Sequence, residues 1–313
     1  MNYLVTGGCG FIGSHFVELL LANLEPNDKI VIVDKMTYAA NNKIAEIFEN
    51  NEKIELIKSD IYDTENYSEQ IQSTDVVINF AAESHVDNSI IDPMVFTHTN
   101  VVGMQKLLHN AHKFGVKTFI QISTDEVYGS TISGAFEETS PISPNSPYAA
   151  SKAAADMICR AYFKTYNFDV RITRSCNNYG VRQNREKFIP VIITNLSRDL
   201  KVPIYGSGRN IREWISVTDH CKSILKVLRD GTPGEVYNIG TGELFTNIDL
   251  ARLICKAMNK EINLLEQVKD RAGHDFRYSI NSKYFVKQFG EIMSTSLNLN
   301  LDTLINYYTA IDE

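Results

Sequence analysis

Tyr148 and Lys152 stand four residues apart in Tyr148-Ala149-Ala150-Ser151-Lys152, a spacing that puts a phenol and an ammonium on one face of a helix. A free tyrosine, with a pKa of about 10, is a poor base at neutral pH. A neighbouring cation favours the phenolate and makes it usable as a proton acceptor. A second group, Ser123-Thr124-Asp125-Glu126-Val127-Tyr128-Gly129, joins a hydroxyl to two adjacent carboxyls. Such a pair can act as general acid and general base only where the surroundings separate the two pKa values; the bland alternative is an acidic loop capping a helix. A third group, Gly7-Gly8-Cys9-Gly10-Phe11-Ile12-Gly13, has the spacing G-x-x-G-x-x-G. Gly7 allows a tight turn, Gly10 close approach of backbone to a pyrophosphate, and Gly13 close packing of helix on sheet. Asp34 follows about 20 residues later, where a carboxylate accepts from both hydroxyls of an adenosine ribose and repels a 2′-phosphate. NAD rather than NADP is the expected cofactor, with Lys35 slightly opposing that preference. Asp60-Ile61 falls where the adenine edge should lie, or else caps a helix.

These groups need a frame that brings them together. Short β-branched runs at Asn2–Thr6, Lys29–Val33, Lys53–Lys58, Asp75–Phe80 and Lys117–Ser123 alternate with helical patterns, clearest at Phe11–Leu24 and Met94–Phe114. A third long helical pattern spans Ser146–Tyr166 and is followed by a strand at Asp169–Thr173. That order predicts an α/β protein with a doubly wound, Rossmann-like parallel sheet. After Arg174 the rhythm changes: helices are expected at Ile189–Arg198, Thr218–Leu228 and Thr246–Met258, with short scattered strands. Residues 1–175 read as a dinucleotide-binding domain carrying the catalytic groups. Residues 176–313 read as a smaller, interleaved substrate lobe, with an approximate boundary.

Composition narrows the function classes. The 313 residues are 43% hydrophobic and 22% charged, an ordinary globular balance that excludes disorder. A formal charge of −7 argues against a nucleic-acid coat but permits a local basic cleft for a small anion. The five cysteines, Cys9, Cys159, Cys176, Cys221 and Cys255, are odd in number and lack C-x-x-C pairing, so reduced thiols in a cytoplasmic protein are expected. The chain opens directly on Tyr3-Leu4-Val5 without a signal-peptide pattern, and no run of about 18 apolar residues occurs. No metal site is expected: His109 and His112 are three apart but lack a third ligand. Cys9 reads as a small filler in the turn.

The motifs together resemble a known family. Tyr148-x-x-x-Lys152 beside the glycine turn points to the extended, sugar-nucleotide branch of the short-chain dehydrogenase/reductases. Thr124-Asp125-Glu126 is similar to the triplet of the dTDP-glucose 4,6-dehydratases, and the likeness runs from end to end. It includes Asp34-Lys35-Met36-Thr37-Tyr38-Ala39, Ala81-Ala82-Glu83-Ser84-His85-Val86-Asp87, Ser146-Pro147-Tyr148 and Arg174-Ser175-Cys176-Asn177-Asn178-Tyr179-Gly180. By that resemblance NAD is held by Gly7, Gly10, Phe11, Ile12, Gly13, Asp34, Lys35, Thr37, Asp60, Ile61, Ala81, Ala82, Asn100, Tyr148 and Lys152. The sugar nucleotide is held by Ser84, His85, Thr124, Asn177, Lys187, Phe188, Pro203, Ile204, Tyr205, Arg212, Asn247, Arg271 and His274, with Lys187 and Arg212 suited to its pyrophosphate. The implied catalytic set is Thr124, Asp125, Glu126, Tyr148 and Lys152, with Lys152 also lowering the tyrosine pKa. The chain departs from the family at Val181 and Arg185, where prolines are usual, at Glu243-Leu244, and at Ala272.

The resemblance implies dehydration of dTDP-glucose to the 4-keto-6-deoxy sugar, with NAD regenerated in each turnover. The same chemistry on UDP-glucose, a sugar-nucleotide 4-epimerase, and an NAD-sensing scaffold are the alternatives. Asp125-Glu126 opposes the epimerase, and the retained Tyr148 and Lys152 oppose the scaffold. A homodimer is also expected, through a four-helix interface. The two helices carry the apolar positions Val101, Val102, Leu107 and Leu108 on one and Ala154, Met157, Ile158 and Ala161 on the other; some face the sheet, but the apolar arc is wider than one sheet contact requires.

Overall fold

In the computed structural model, which describes residues 1–292 and 294–310, the β-rich runs become twelve strands. In chain order they are β1 (Asn2–Thr6), β2 (Lys29–Asp34), β3 (Ile54–Lys58), β4 (Val76–Asn79), β5 (Thr118–Thr124) and β6 (Asp169–Ser175). The second half adds β7 (Asn177–Tyr179), β8 (Val202–Tyr205), β9 (Ile211–Ser216), β10 (Val236–Ile239), β11 (Leu244–Thr246) and β12 (Leu265–Val268). Seven of them form a parallel sheet in the order β10-β6-β5-β4-β1-β2-β3. Their near-continuous apolar sequence follows from burial on both faces. Strand order reverses between β1 and β4, and ligands of such sheets bind in the crevice beyond the strand ends at that point.

Helix Phe11–Leu21 covers one face with Phe16, Val17 and Leu20, and beside it packs helix Val217–Asp230 through Val217, Cys221 and Ile224. The other face is covered by Met104, Leu107, Leu108 and Ala111 and by Ala155 and Cys159 of helix Pro147–Tyr166. Leu107 and Leu108 are therefore among the apolar positions of these helices that face the sheet. Within residues 86–113 and 147–166 the exposed large apolar groups are Ile90, Ile91, Met94, Val95, Val102, Met157 and Tyr166.

The second half makes a three-stranded sheet, β11-β9-β7, and the pair β12-β8. Helices Phe188–Ser197, Asn247–Ala257 and Leu297–Ala310 pack on this lobe through Ile192, Leu196, Leu250, Ile254, Leu301 and Leu304. Two of its segments return to the large sheet: β10 lies parallel to β6, and Val217–Asp230 lies on its face. A buried ion pair, Arg174 Nε to Asp156 Oδ2 at 2.9 Å with both side chains at most 1% exposed, ties helix Pro147–Tyr166 to β6. Arg174 Nη1 also donates to Tyr128 Oη at 2.8 Å. This network holds the helix bearing Tyr148 and Lys152 against the segment that follows β5. Among the described residues, no helix is long and apolar enough to cross a membrane, and no group of three or more His, Cys, Asp and Glu could hold a metal ion.

Candidate active site

The first cleft lies at the ends of β1, β2, β4 and β5 and encloses about 1270 Å³ of space open to one side. Gly7 has φ +65° and a Cβ there would lie 2.8 Å from Ala81 N; a Cβ on Gly13 would collide with the Gly7 carbonyl oxygen. The turn is thus closed to side chains, and the start of helix Phe11–Leu21 faces the cleft with its free N–H groups. Asp34 Oδ2 accepts from Cys9 N and Oδ1 from Met36 N, both at 2.9 Å. Burial holds the Asp34 carboxyl above its usual range against those two bonds. Lys35, which would otherwise welcome a 2′-phosphate, pairs with Asp60 Oδ2 at 2.8 Å. Phe11, Ile12, Thr37, Ile61, Ala81, Ala82, Gln183 and Asn184 complete the wall. Glycines without room for a Cβ and a carboxylate at the second strand end fit a dinucleotide.

The second cleft, about 1220 Å³, runs between the sheet and the smaller lobe and shares Ser84, Glu186 and Lys187 with the first. Its cations are already engaged. Arg271 meets Asp87 through Nε at 2.6 Å and Nη2 at 3.0 Å, and Lys187 Nζ donates to Ser84 O at 2.8 Å. Arg212 Nη2 donates to Asp275 O at 2.9 Å, and its guanidinium lies 4.2 Å over the Tyr278 ring. His274 Nδ1 is 2.6 Å from Asp270, and His85 Nδ1 caps the helix Val86–Ile91 by accepting from Asn88 N. Burial lowers the pKa of both histidines.

The groups expected to be catalytic meet where the clefts join. Pro147 at the first helical position and Ser146 Oγ, accepting from Ala149 N at 3.1 Å, start the helix so that Tyr148 lies in its first turn. After β5, Thr124 Oγ1 accepts from Glu126 N at 3.2 Å and caps the short turn Asp125–Tyr128. The hydroxyl is the cap, so the carboxyls are free for other work. Glu126 lines the second cleft, while Asp125 lies beneath it at 1% exposure, with Oδ2 lacking a hydrogen-bond partner among the described residues. Burial, then Glu126 and Glu213, raise Asp125 well above the usual carboxyl range. Burial raises Glu126 too, but Arg212 and Lys187 pull it back. Both neighbouring carboxyls are thus raised, Asp125 further, and the cations beside Glu126 make it the more readily ionised of the two.

Tyr148 departs from expectation. Its phenol is pushed up by burial and by Glu126 and Asp125, against a hydrogen bond with Thr124. Lys152 Nζ donates to Ile122 O at 2.6 Å, and burial lowers the ammonium to about 8. The charges acting most strongly on the phenol here are thus carboxylates, and the expected depression by Lys152 is not in place.

Comparison with known proteins then decides the family. The sequence profile of GDP-mannose 4,6 dehydratase matches residues 4–291. The dTDP-glucose 4,6-dehydratase of Streptomyces antibioticus is 43% identical over 294 residues, 93% of this chain and 87% of its own. A crystal structure of the dTDP-glucose 4,6-dehydratase DesIV from Streptomyces venezuelae, with NAD and TYD bound, superposes with a TM-score of 0.96 at 43% identity, covering 99% and 97% of the two chains. The chain belongs to the dTDP-glucose 4,6-dehydratase family. The low-salt glycan biosynthesis protein Agl12 of Haloferax volcanii is also 42% identical over the full length of both chains.

In this dehydratase chain most expected site residues line the two clefts, and four do not. Asn100 is 2% exposed in a π-helical stretch, 97–103, that turns it inward; it accepts from Glu83 N and donates to Glu83 O and Ser151 Oγ. It pins the Ala81–Glu83 loop to the catalytic helix from behind. Ile204 is 1% exposed because strand alternation sends Val202 and Ile204 into the lobe core and Pro203 and Tyr205 to the cleft. Thr124 and Asp125 lie under the walls at the junction. Sequence reasoning missed Gln183 and Asn184, and it missed Tyr278, whose Oη lies 2.5 Å from Asp275 Oδ2 and 3.5 Å from Glu126 Oε2. Only their nearness to the quoted motifs signalled them.

Proposed function

We propose that the protein removes water from dTDP-glucose to give the 4-keto-6-deoxy sugar nucleotide, with NAD⁺ in the first cleft and the substrate in the second. The buried Asp125 beside Glu126 at the junction of the clefts carries this reading, because epimerisation needs neither group. NAD⁺ supplies the acceptor and later the donor of the hydride. Tyr148 Oη takes the proton of the sugar 4-hydroxyl, with Thr124 Oγ1 bridging them. That transfer needs a phenolate, so Lys152 must leave the Ile122 carbonyl and turn to the phenol and nicotinamide ribose when the cleft is filled. A carbonyl at carbon 4 acidifies carbon 5, whose proton Glu126 removes. Asp125 gives its proton to the departing 6-hydroxyl. Lys187, Arg212 and Arg271 engage the diphosphate, and Tyr205, Asn247 and His274 the base.

The domain assignment follows: residues 1–175 bind the cofactor, and 176–313 form the substrate lobe apart from the two segments that return to the sheet. The exposed Ile91, Met94, Val95 and Val102 beside Met157 support a C2 homodimer through these helices. Five free, buried cysteines support a cytoplasmic setting. The deciding experiment incubates the enzyme separately with dTDP-glucose and UDP-glucose and looks by mass for loss of water. Loss from the thymidine nucleotide is expected; epimerised sugar of unchanged mass, or no product from either, overturns the reading.

A further inference from the structure

Between β7 and helix Phe188–Ser197 the chain runs along the first cleft as a strap, residues 180–187. Gln183 and Asn184 line the cleft together with Gly10, Phe11 and Ile12, and the strap is fastened on both sides. On one side Arg182 Nη1 and Nη2 donate to Glu18 Oε1 and Oε2 at 2.7 and 2.6 Å. Glu18 belongs to helix Phe11–Leu21, the element whose start faces the cofactor cleft. On the other side Tyr308 Oη lies 2.9 Å from Gly180 O and 3.0 Å from Gln183 O, anchoring the strap to helix Leu297–Ala310. Gln183 Nε2 donates to Asn178 O at 2.9 Å.

The backbone shows why fastening is needed. Arg182 has φ +66°, a left-handed conformation that is uncommon and costly for a non-glycine residue and persists only where surrounding contacts impose it. Gly180 is pressed so close to Val217 that a Cβ would lie 2.5 Å from its Cγ1. Val181 and Arg185 stand where the resembled family has prolines, so side-chain contacts rather than proline-fixed torsions hold this strap. The pair itself is well made. Arg182 is 10% exposed and Glu18 47%. Burial opposes ionisation of Glu18, and the Arg182 guanidinium more than offsets it, holding the carboxyl below its usual range.

We propose that the Arg182–Glu18 pair is a latch that retains the nicotinamide cofactor by tying the strap to the cofactor-binding helix. This rests on the dehydratase reading, in which one cofactor is reduced and reoxidised within each turnover. Escape of the reduced form before the hydride returns would leave the sugar oxidised and the protein without an acceptor. The strap supplies Gln183 and Asn184 to the wall of the cleft, so loosening it would open that wall and ease departure, and the pair resists loosening.

The test needs no sugar. Holoenzyme loaded with NAD⁺ is placed in excess isotopically labelled NAD⁺, and exchange of the bound cofactor is followed by mass. Arg182→Ala and Glu18→Gln should exchange about 3- to 10-fold faster than wild type, the scale of a half-open bidentate pair. Combining Arg182→Glu with Glu18→Arg should restore slow exchange. Raising salt should speed exchange in wild type and leave Arg182→Ala unchanged. Wild-type exchange rates in both single variants, or fast exchange that the charge swap does not slow, would overturn the latch while leaving the dehydratase reading intact. A wild-type protein that takes up no NAD⁺ would overturn that reading and the latch with it.

Discussion

The dinucleotide cleft and the sugar-nucleotide cleft share Ser84, Glu186 and Lys187, yet they are built by different means. The first is made mostly of backbone. Parallel strand ends, a glycine turn without room for side chains and one buried carboxylate set its shape before any ligand arrives. The second is made of side chains drawn from residues 84 to 278, and its cations are committed elsewhere: Arg271 to Asp87, Lys187 to Ser84 O, Arg212 to Asp275 O. On the proposed assignment, a substrate diphosphate would displace part of those contacts, and that exchange would be subtracted from its affinity. The backbone site thus suits a cofactor that stays, the side-chain site a substrate and product that must leave.

The comparison is sharpest at the junction, where the largest effect is expected. Glu126→Gln should slow overall turnover by about 10²–10⁴-fold, the usual loss for a positioned base. Oxidation at carbon 4 should survive, so bound NADH should build up and be visible by near-ultraviolet absorbance in a single turnover. Tyr148→Phe should show almost no NADH. Turnover of Glu126→Gln at the wild-type rate would remove the carboxyl from the mechanism.

A pair of variants tests the two building principles directly. Gly13→Ala drives a methyl group into the Gly7 carbonyl and should yield protein without NAD, less stable by about 1–3 kcal/mol, as overpacking typically costs. Arg271→Ala should leave NAD content and melting unchanged and raise KM about tenfold, equivalent to ~1.4 kcal/mol. Absorbance of the purified protein, thermal melts and steady-state kinetics report on each. Equal cofactor loss in both variants would break the distinction.

A smaller effect concerns stability. Asp125 has a folded pKa raised above its unfolded value by burial, Glu126 and Glu213. The native state therefore keeps a proton that the unfolded chain releases, and stability falls as pH rises from the ordinary aspartate range through the folded pKa. Asp125→Asn removes that dependence. It should be inactive, yet melt about 2–4 °C higher near neutral pH, the shift given by ~1 kcal/mol, with the gap closing towards pH 4. A gap that does not change with pH would argue against a protonated Asp125. The smallest effect is expected for Tyr278→Phe, which removes a neutral hydroxyl near Glu126 and should slow elimination about 3- to 10-fold, the scale of one hydrogen bond, without reducing initial NADH formation.

Much of this protein was legible from sequence because the relevant rules are local. Glycine spacing specifies a turn, four-residue spacing puts Tyr148 and Lys152 on one helix face, and apolar runs of strand length marked the first six strands of the large sheet within two residues of their ends. The cofactor preference rested on Asp34 at the end of one such run. Tertiary structure decided what each face meets. Asn100 turned inward on a π-helical stretch, Ile204 into the lobe core, and Leu107 and Leu108 onto the sheet, leaving Val102 outside. β10 crossed from the second half into the large sheet, which no local pattern encodes. The different surroundings of Asp125 and Glu126 came from Glu213 on β9 and from Arg212 and Lys187, groups distant in sequence. Local spacing determines which chemistry is available, because backbone geometry repeats over a few residues. Charge and burial determine which group performs it, because both depend on every element packed around the site.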